Sequence, residues 1–251
     1  MSDFSDKYGP WAVIAGASEG VGSALARQLG DLGINVVLVS RRQALLDEVA
    51  ATIPAETRTV ALDLSVDGAD EALAAATSDL EVGLLVYNAG ADPHSSRFLD
   101  KPLEVWQAMV RRNVNAVLGA SYRYGRAMAE RGRGGIVLVA SGAAWGGSDY
   151  LVTYGASKAF DLVLGEALWA ELKPHGVDVL SMVLGMTDTP AFRKVLHGRD
   201  FPDIADPADV AREMLDRLPH GPTFPTESPF GALPRREIVE MMSQGSAFLG
   251  D

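Results

Sequence analysis

No cysteine occurs among the 251 residues. That excludes a disulfide framework, a thiolate nucleophile and any cysteine-based metal site. Histidine is scarce, and His94, His175, His197 and His220 show no metal-ligand spacing, so no metal is expected. Positive charge is in deficit: 22 Lys+Arg stand against 33 Asp+Glu, a net charge of −11. Nucleic acid and anionic membrane both require clustered positive charge, so neither is an expected partner. Any anion must be held by local geometry rather than by the overall field. No apolar run approaches the length of a membrane span. The opening MSDFSDKYGPW is polar and acidic, with no signal-peptide core. A soluble, cytoplasmic protein is the expectation.

What is present is alternation. Short apolar runs, β-branched and bounded by turn residues, fall at Trp11–Ala15, Asn35–Ser40, Thr57–Leu62, Val82–Tyr87, Gly135–Ala140 and Val177–Leu184. Runs of this length read as buried strands. Helical periodicity separates them, over residues 23–32, 42–51, 70–79, 102–131 and 154–172, with further helices over 209–218 and 235–243. Strands alternating with helices predict an α/β fold: one domain, a Rossmann-type doubly wound parallel sheet with helices on both faces. A short extra strand at Thr223–Phe224 fits within the proline-rich stretch that follows residue 218. The pattern weakens between residues 191 and 207; a mobile lid is expected over about 186–207, and 219–251 reads as a C-terminal extension.

The first strand runs into Gly16-Ala17-Ser18-Glu19-Gly20-Val21-Gly22. Glycine permits a tight turn and close approach of a ligand to the backbone. The helix beyond offers free N–H groups and the positive end of its dipole to a pyrophosphate. A plain glycine-rich turn would look the same in isolation, so context must decide. The second strand ends in Ser40-Arg41-Arg42, where dinucleotide-binding folds that take NAD carry an acid for the ribose hydroxyl. A neutral residue followed by arginines suits a 2′-phosphate, because guanidinium pairs bidentately with phosphate. Glu19 opposes this, since a carboxylate nearby would repel that phosphate. Two solvated arginines are the plain alternative. Asp63 and Leu64 follow the third strand. The Asp63 carboxylate suits an adenine amino group, or equally a helix N-cap. Asn88-Ala89-Gly90 ends the fourth strand with small residues, leaving room for a flat ligand.

The stretch from Ala140 to Lys158 carries the chemistry. Ser141 closes the fifth strand, and Tyr154 and Lys158 open the next helix. A spacing of four places both side chains on one helical face. An ammonium beside a phenol favours the phenolate and brings a reference pKa of about 10 toward working pH. Such a phenol exchanges a proton with an alcohol or carbonyl oxygen. A serine hydroxyl beside it holds that oxygen as its charge changes. No nucleophile-plus-base pair is present, so a cofactor must supply the other reacting group. Asn113, within the long helix, reads either as a satisfied buried amide or as the site of a carbonyl that holds a water near Lys158.

Taken together, these residues resemble the classical short-chain dehydrogenases/reductases, most clearly from Trp11 to about Pro190. The family's glycine motif matches Gly16-x-x-x-Gly20-x-Gly22, its adenine-pocket acid Asp63, and its Asn-Ala-Gly triplet Asn88-Ala89-Gly90. Its catalytic Asn, Ser, Tyr and Lys match Asn113, Ser141, Tyr154 and Lys158. YGPWAVIAGASEGVG and VVLVSRR are also similar to the branch holding 17β-hydroxysteroid dehydrogenases and 3-oxoacyl-CoA reductases. The resemblance implies a cofactor-binding set of Gly16, Ser18, Glu19, Gly20, Val21, Gly22, Ser40, Arg41, Arg42, Asp63, Leu64, Asn88, Ala89, Gly90, Tyr154, Lys158, Gly185, Thr187 and Thr189. It implies NADP (NADPH) rather than NAD as cofactor, and a homodimer or homotetramer paired through the two long helices. Three departures stand out: Ala15 for threonine, Tyr87 for asparagine and Leu184 for proline. The first two are expected to remove side-chain ties between the glycine loop and the fourth strand.

The activity so implied is NADP(H)-dependent interconversion of a ketone and a secondary alcohol. The rival is an NAD(P)-binding regulatory protein with little catalysis, and the intact Ser-Tyr-Lys set weighs against it. Epimerisation or dehydration on the same fold ordinarily needs a longer substrate domain. Trp145, Tyr150, His94, Met186, Phe192 and Phe201 are expected near the substrate, an apolar ketone, steroid or 3-oxoacyl compound; ordinary core packing is the alternative for each.

Overall fold

The computed structural model describes residues 2–92, 94–196, 199 and 201–247. His197 and the outermost terminal residues lie outside that range. The element order is α1 (Ser2–Tyr8), β1 (Trp11–Ala15), α2 (Gly20–Asp31), β2 (Asn35–Ser40), α3 (Gln43–Ala50), β3 (Thr57–Ala61), α4 (Ala69–Ala76), β4 (Val82–Tyr87), α5 (Leu103–Val110), α6 (Ala116–Arg131), β5 (Gly134–Ser141), α7 (Val152–Leu172), β6 (Val177–Leu184), α8 (Pro190–Val195), α9 (Pro207–Arg217), β7 (Thr223–Phe224) and α10 (Arg235–Ser246). The strands form one parallel sheet in the order β3-β2-β1-β4-β5-β6-β7.

Burial explains the choice of strands. WAVIA and VGLLVY are buried along their whole length, as a parallel sheet covered on both faces demands. Alternate residues then feed two cores. Ile14, Leu84 and Val137 pack with Leu25 and Leu29 of α2 and Met214 of α9. Val13, Leu85 and Leu138 pack on the other face with Val117 and Tyr124 of α6. Each fully buried leucine or valine contributes roughly 1.5–3 kcal/mol.

The strand order reverses between β1 and β4, which pair with Ala15 opposite Tyr87. Their following loops therefore part in opposite directions. In open α/β sheets the crevice so formed beyond the strands' carboxyl ends is where ligands bind. The glycine loop and Asn88-Ala89-Gly90 face each other across it.

Two expectations are corrected. The helix expected as one piece over residues 102–131 is broken by a π-helical turn, Arg111–Asn115, centred on Asn113. Such one-turn bulges widen the helix and are frequent at functional sites. Asp63 caps no helix, since α4 begins six residues later. Its Oδ1 instead accepts from the Ser65 amide (2.9 Å) and hydroxyl (2.6 Å), closing a local turn. The N-terminal α1 went unread, because seven residues are too few to show a helical period.

Candidate active site

The glycine loop is built for close approach. Gly16 and Gly20 take φ of +82° and +57°, conformations that side chains rarely adopt. A Cβ on Gly16 would lie 2.9 Å from the Ala89 nitrogen, and one on Gly22 would overlap the Gly16 carbonyl. Glu19, the residue before α2, makes no side-chain cap to the helix. The first N–H groups of α2 are therefore open to an anion.

The loop stays tied to β4 despite Ala15 and Tyr87. The Asn88 Nδ2 donates to the Gly16 carbonyl at 3.0 Å, and the Asn88 amide donates to the Ala15 carbonyl at 3.0 Å. The triplet's own asparagine thus supplies a tie whose loss the two departures foretold. Tyr87 turns elsewhere: its hydroxyl donates to the Arg112 carbonyl in the π turn at 2.8 Å. Sequence reasoning saw only a missing asparagine there and missed the new contact.

At the end of β2, the Arg42 guanidinium pairs with Glu19 at 2.6 Å. Both arginines are exposed, and Arg42 keeps half of its side chain in solvent while it pairs with Glu19. Arg41 bears on Asp63 instead. Burial alone would raise the Asp63 carboxyl; the Ser65 hydrogen bonds, Arg41 and Arg112 outweigh it and hold the group below its ordinary value.

Asn113 is fully buried. Its Nδ2 donates to the Ser157 hydroxyl at 3.0 Å and to the Gly90 carbonyl at 3.4 Å, while its Oδ1 accepts from Arg112 Nε at 2.9 Å. The amide is satisfied at both ends, which matches the plain reading of that side chain. It pins the π turn to Gly90 on one side and α7 on the other.

Ser141 ends β5, and its hydroxyl accepts from the Ala143 amide at 3.3 Å. The 3-10 turn that follows, Gly142–Trp145, lies directly against the first turn of α7. A Cβ on Gly155 would sit 3.0 Å from the Ala143 carbonyl. This close packing brings the element bearing Ser141 against the one bearing Tyr154. Tyr154 is half-buried and Lys158 is 3% exposed.

The Lys158 Nζ lies 6.0 Å from the centre of the Tyr154 ring, so the two groups share a helix face as their spacing predicts. The ammonium has nearer partners. It donates to the Val139 carbonyl at 2.8 Å and to Asp161 Oδ2 at 2.9 Å. Asp161 is a site residue the sequence reading passed over. Position i+3 on a helix carrying a lysine was the available signal.

Beyond β6, Thr187 bridges to Ala205, which closes the base of the 186–205 segment. The Gly185 carbonyl accepts from the Thr187 hydroxyl. Thr189 caps α8 through its hydroxyl, and its Cγ2 sits where a Cβ on Gly20 would come within 2.8 Å. The segment therefore reaches across the crevice to the glycine loop. Val21 and Leu64 are buried in the two cores, and Ser18 is half-buried within the glycine loop. Of the six residues expected near substrate, Trp145 packs by Ala140, Tyr150 lies under the Arg97 guanidinium (4.9 Å), and Met186 is exposed. The turn after β5 is roofed by α10: a Cβ on Gly146 would meet Ile238 at 2.7 Å and Met242 at 3.1 Å. Among the described residues no cluster could hold a metal, and no helix is long and apolar enough to cross a membrane.

Comparison with known proteins places the chain in a family. The family model for short chain dehydrogenases matches residues 10–200. The chain belongs to the short-chain dehydrogenase/reductase family. It is an oxidoreductase of that family, and its relatives fall where the sequence pointed. It is 38% identical to a 7β-hydroxysteroid dehydrogenase of Collinsella aerofaciens over 198 residues, covering 77% of this chain and 74% of that one. It is also 38% identical over 198 residues to a very-long-chain 3-oxoacyl-CoA reductase of Podospora anserina, covering 75% of this chain and 58% of the other. A solved structure described in terms of 7β-hydroxysteroid dehydrogenase stereoselectivity superimposes with a TM-score of 0.80 at 35% identity, covering 88% of each chain.

Proposed function

We propose that the protein is an NADP(H)-dependent oxidoreductase that interconverts a ketone and a secondary alcohol, with Tyr154 as general acid and base. The observation that carries the reading is the buried Lys158 ammonium 6.0 Å from the Tyr154 ring, at the mouth of a crevice floored by glycine. The donor set fits a dinucleotide: the open α2 N-terminus for the pyrophosphate, Asp63 and Leu64 beside the adenine, Asn88, Ala89 and Gly90 under the far ribose. Arg41, with Ser40 and Arg42, would hold the 2′-phosphate. Gly185, Thr187 and Thr189 would cover the nicotinamide end.

The bound nicotinamide supplies or accepts the hydride at the substrate carbon. This chain's residues manage the oxygen. Ser141 holds it by hydrogen bonding as charge develops. In reduction Tyr154 donates its proton to that oxygen, forming the alcohol and leaving a tyrosinate that is reprotonated from solvent. In oxidation the transfer reverses. Lys158 steadies the tyrosinate and binds ribose, and Asn113 fixes the π turn through which a water relay would pass.

The names of its relatives support an apolar substrate, a steroid or a 3-oxoacyl compound. The single Rossmann domain would carry a lid over residues 186–207 and an extension over 219–251. Exposed Leu103, Leu118 and Tyr122 on the long helical unit, with Val152 and Val163 on α7, suit a homo-oligomer. Replacing Tyr154→Phe tests the assignment. Turnover on a reducible ketone is expected to fall about 10²–10⁴-fold, with NADPH binding, followed by its fluorescence, retained. Near-wild-type turnover would remove Tyr154 from this role.

A further inference from the structure

The Lys158 ammonium has three N–H donors. Two are committed to the Val139 carbonyl on β5 and to Asp161 Oδ2 on α7. The space on its third side is bounded by Gly90, where a Cβ would lie 2.6 Å from Nζ. Glycine at that position is what lets the amine stand against the ligand side of the crevice. Asp161 is as deeply placed as the lysine, with side chains 3% and 4% exposed. Its second oxygen, Oδ1, is buried and makes no hydrogen bond.

A buried ammonium without a counter-charge is costly, and it relieves the cost by giving up its proton or moving toward water. The Asp161 carboxylate, three residues along α7, supplies that counter-charge and fixes the direction in which the remaining donor points.

We propose that Asp161 is a positioning residue for the hydride-transfer site: it holds the Lys158 ammonium charged and aimed at Tyr154 and the cofactor ribose. The proposal rests on the function argued above. It adds a fifth member to the Asn113, Ser141, Tyr154 and Lys158 set.

The groups around the pair are Tyr154 on α7, the Tyr87 phenol on β4, with Arg112 of the π turn beyond it, the Val139 carbonyl on β5 and, on β6, the Ser181 hydroxyl, which donates to the Asp161 backbone carbonyl at 3.3 Å. Burial and the Asp161 charge push the Tyr87 phenol far above its ordinary value, so it stays neutral throughout an enzyme assay. Burial lowers Arg112, which nevertheless keeps its charge in the same range. Burial pushes the Asp161 carboxyl up, against the pull of Lys158. The ion pair is therefore the charge arrangement that a neutral substitution would alter.

The experiment compares wild type, Asp161→Asn and Asp161→Glu in alcohol oxidation across pH, with NADPH binding by fluorescence titration alongside. In Asp161→Asn the ammonium loses its counter-charge. The expected result is a kcat lowered by about tenfold or more, a substrate KM within about twofold of wild type, and the acid limb of kcat against pH displaced from its wild-type position. NADPH affinity is expected to weaken as the ribose contact loses its aim. Asp161→Glu keeps the charge and is expected to restore the limb and most of kcat. If Asp161→Asn fails to fold, Asp161→Ser, which accepts from Nζ without charge, is read against the same expectations. An unmoved pH limb with kcat within twofold of wild type, in either neutral variant, overturns the proposal. So does a limb that moves equally in Asp161→Glu. Failure here is distinct from failure of the function: active Tyr154→Phe sinks the function, whereas inactive Tyr154→Phe with unaltered Asp161 variants sinks only this proposal.

Discussion

The Arg42 guanidinium reaches back over the glycine loop to the Glu19 carboxylate, 2.6 Å away. A 2′-phosphate bound at the end of β2 would compete with Glu19 for that guanidinium. Glu19→Gln releases Arg42, and kcat/KM for NADP is expected to rise several-fold while that for NAD holds. Arg41→Asp is expected to lower the NADP-to-NAD ratio in kcat/KM by about tenfold or more, the scale of one hydrogen bond to a charged group. Steady-state kinetics with both cofactors reads the two variants, and an unchanged ratio in Arg41→Asp would detach Arg41 from the phosphate.

The single side-chain tie from Asn88 to Gly16 gives a second test. Asn88→Ala removes the donor and leaves the carbonyl to water. A loss of about 1 kcal/mol in unfolding free energy is expected, measured by denaturant titration, together with weaker cofactor binding. Retention of both would show that backbone contacts alone hold the loop.

Gly22 offers a harsher one. An added Cβ would overlap the Gly16 carbonyl, which is backbone and cannot swing aside. Gly22→Ala is expected to cost about 1–3 kcal/mol and to abolish dinucleotide binding. Calorimetric titration with NADPH is the check; wild-type affinity would contradict the cradle.

Acid stability depends on a pair far from the site. Arg58 donates two hydrogen bonds to Asp79 and, with a local backbone bond, holds that carboxyl at about 2. A carboxyl depressed by folding stabilises above its unfolded value of about 3.9 and loses that contribution as pH falls through the folded value. Thermal melting is therefore expected to drop between about pH 4 and pH 2, and to drop less in Asp79→Asn. The pair is exposed to solvent, so the effect is expected to shrink with added salt.

Much of the fold was legible because parallel strands buried on both faces leave unbroken apolar runs, and β1, β2, β4 and β6 fall where those runs do. Ser141, Tyr154 and Lys158 could be singled out because proton transfer at an oxygen calls for such groups, and the structure puts the Lys158 ammonium 6.0 Å from the Tyr154 ring. What stayed hidden depends on partners distant in sequence. The π turn adds one residue to a helix whose apolar pattern continues through it, so residues 102–131 read as unbroken. The i+3 spacing of Asp161 from Lys158 was legible and passed over, whereas its nearness to the Tyr87 phenol was not legible. Glu19 and Arg42 read as opposing votes on the cofactor, whereas in three dimensions they are each other's partner.

Two of the contacts that the C-terminal stretch makes with the rest bear on the site. Its two-residue strand β7 extends the sheet beside β6, and α10 rests on Gly146, five residues past Ser141. Under the proposed function, a substitution on this face of α10 would act on the turn that follows Ser141 before it reached Tyr154 or Lys158. A new side chain at Ile238 or Met242 would then alter what the cleft admits while leaving the proposed proton-transfer pair in place.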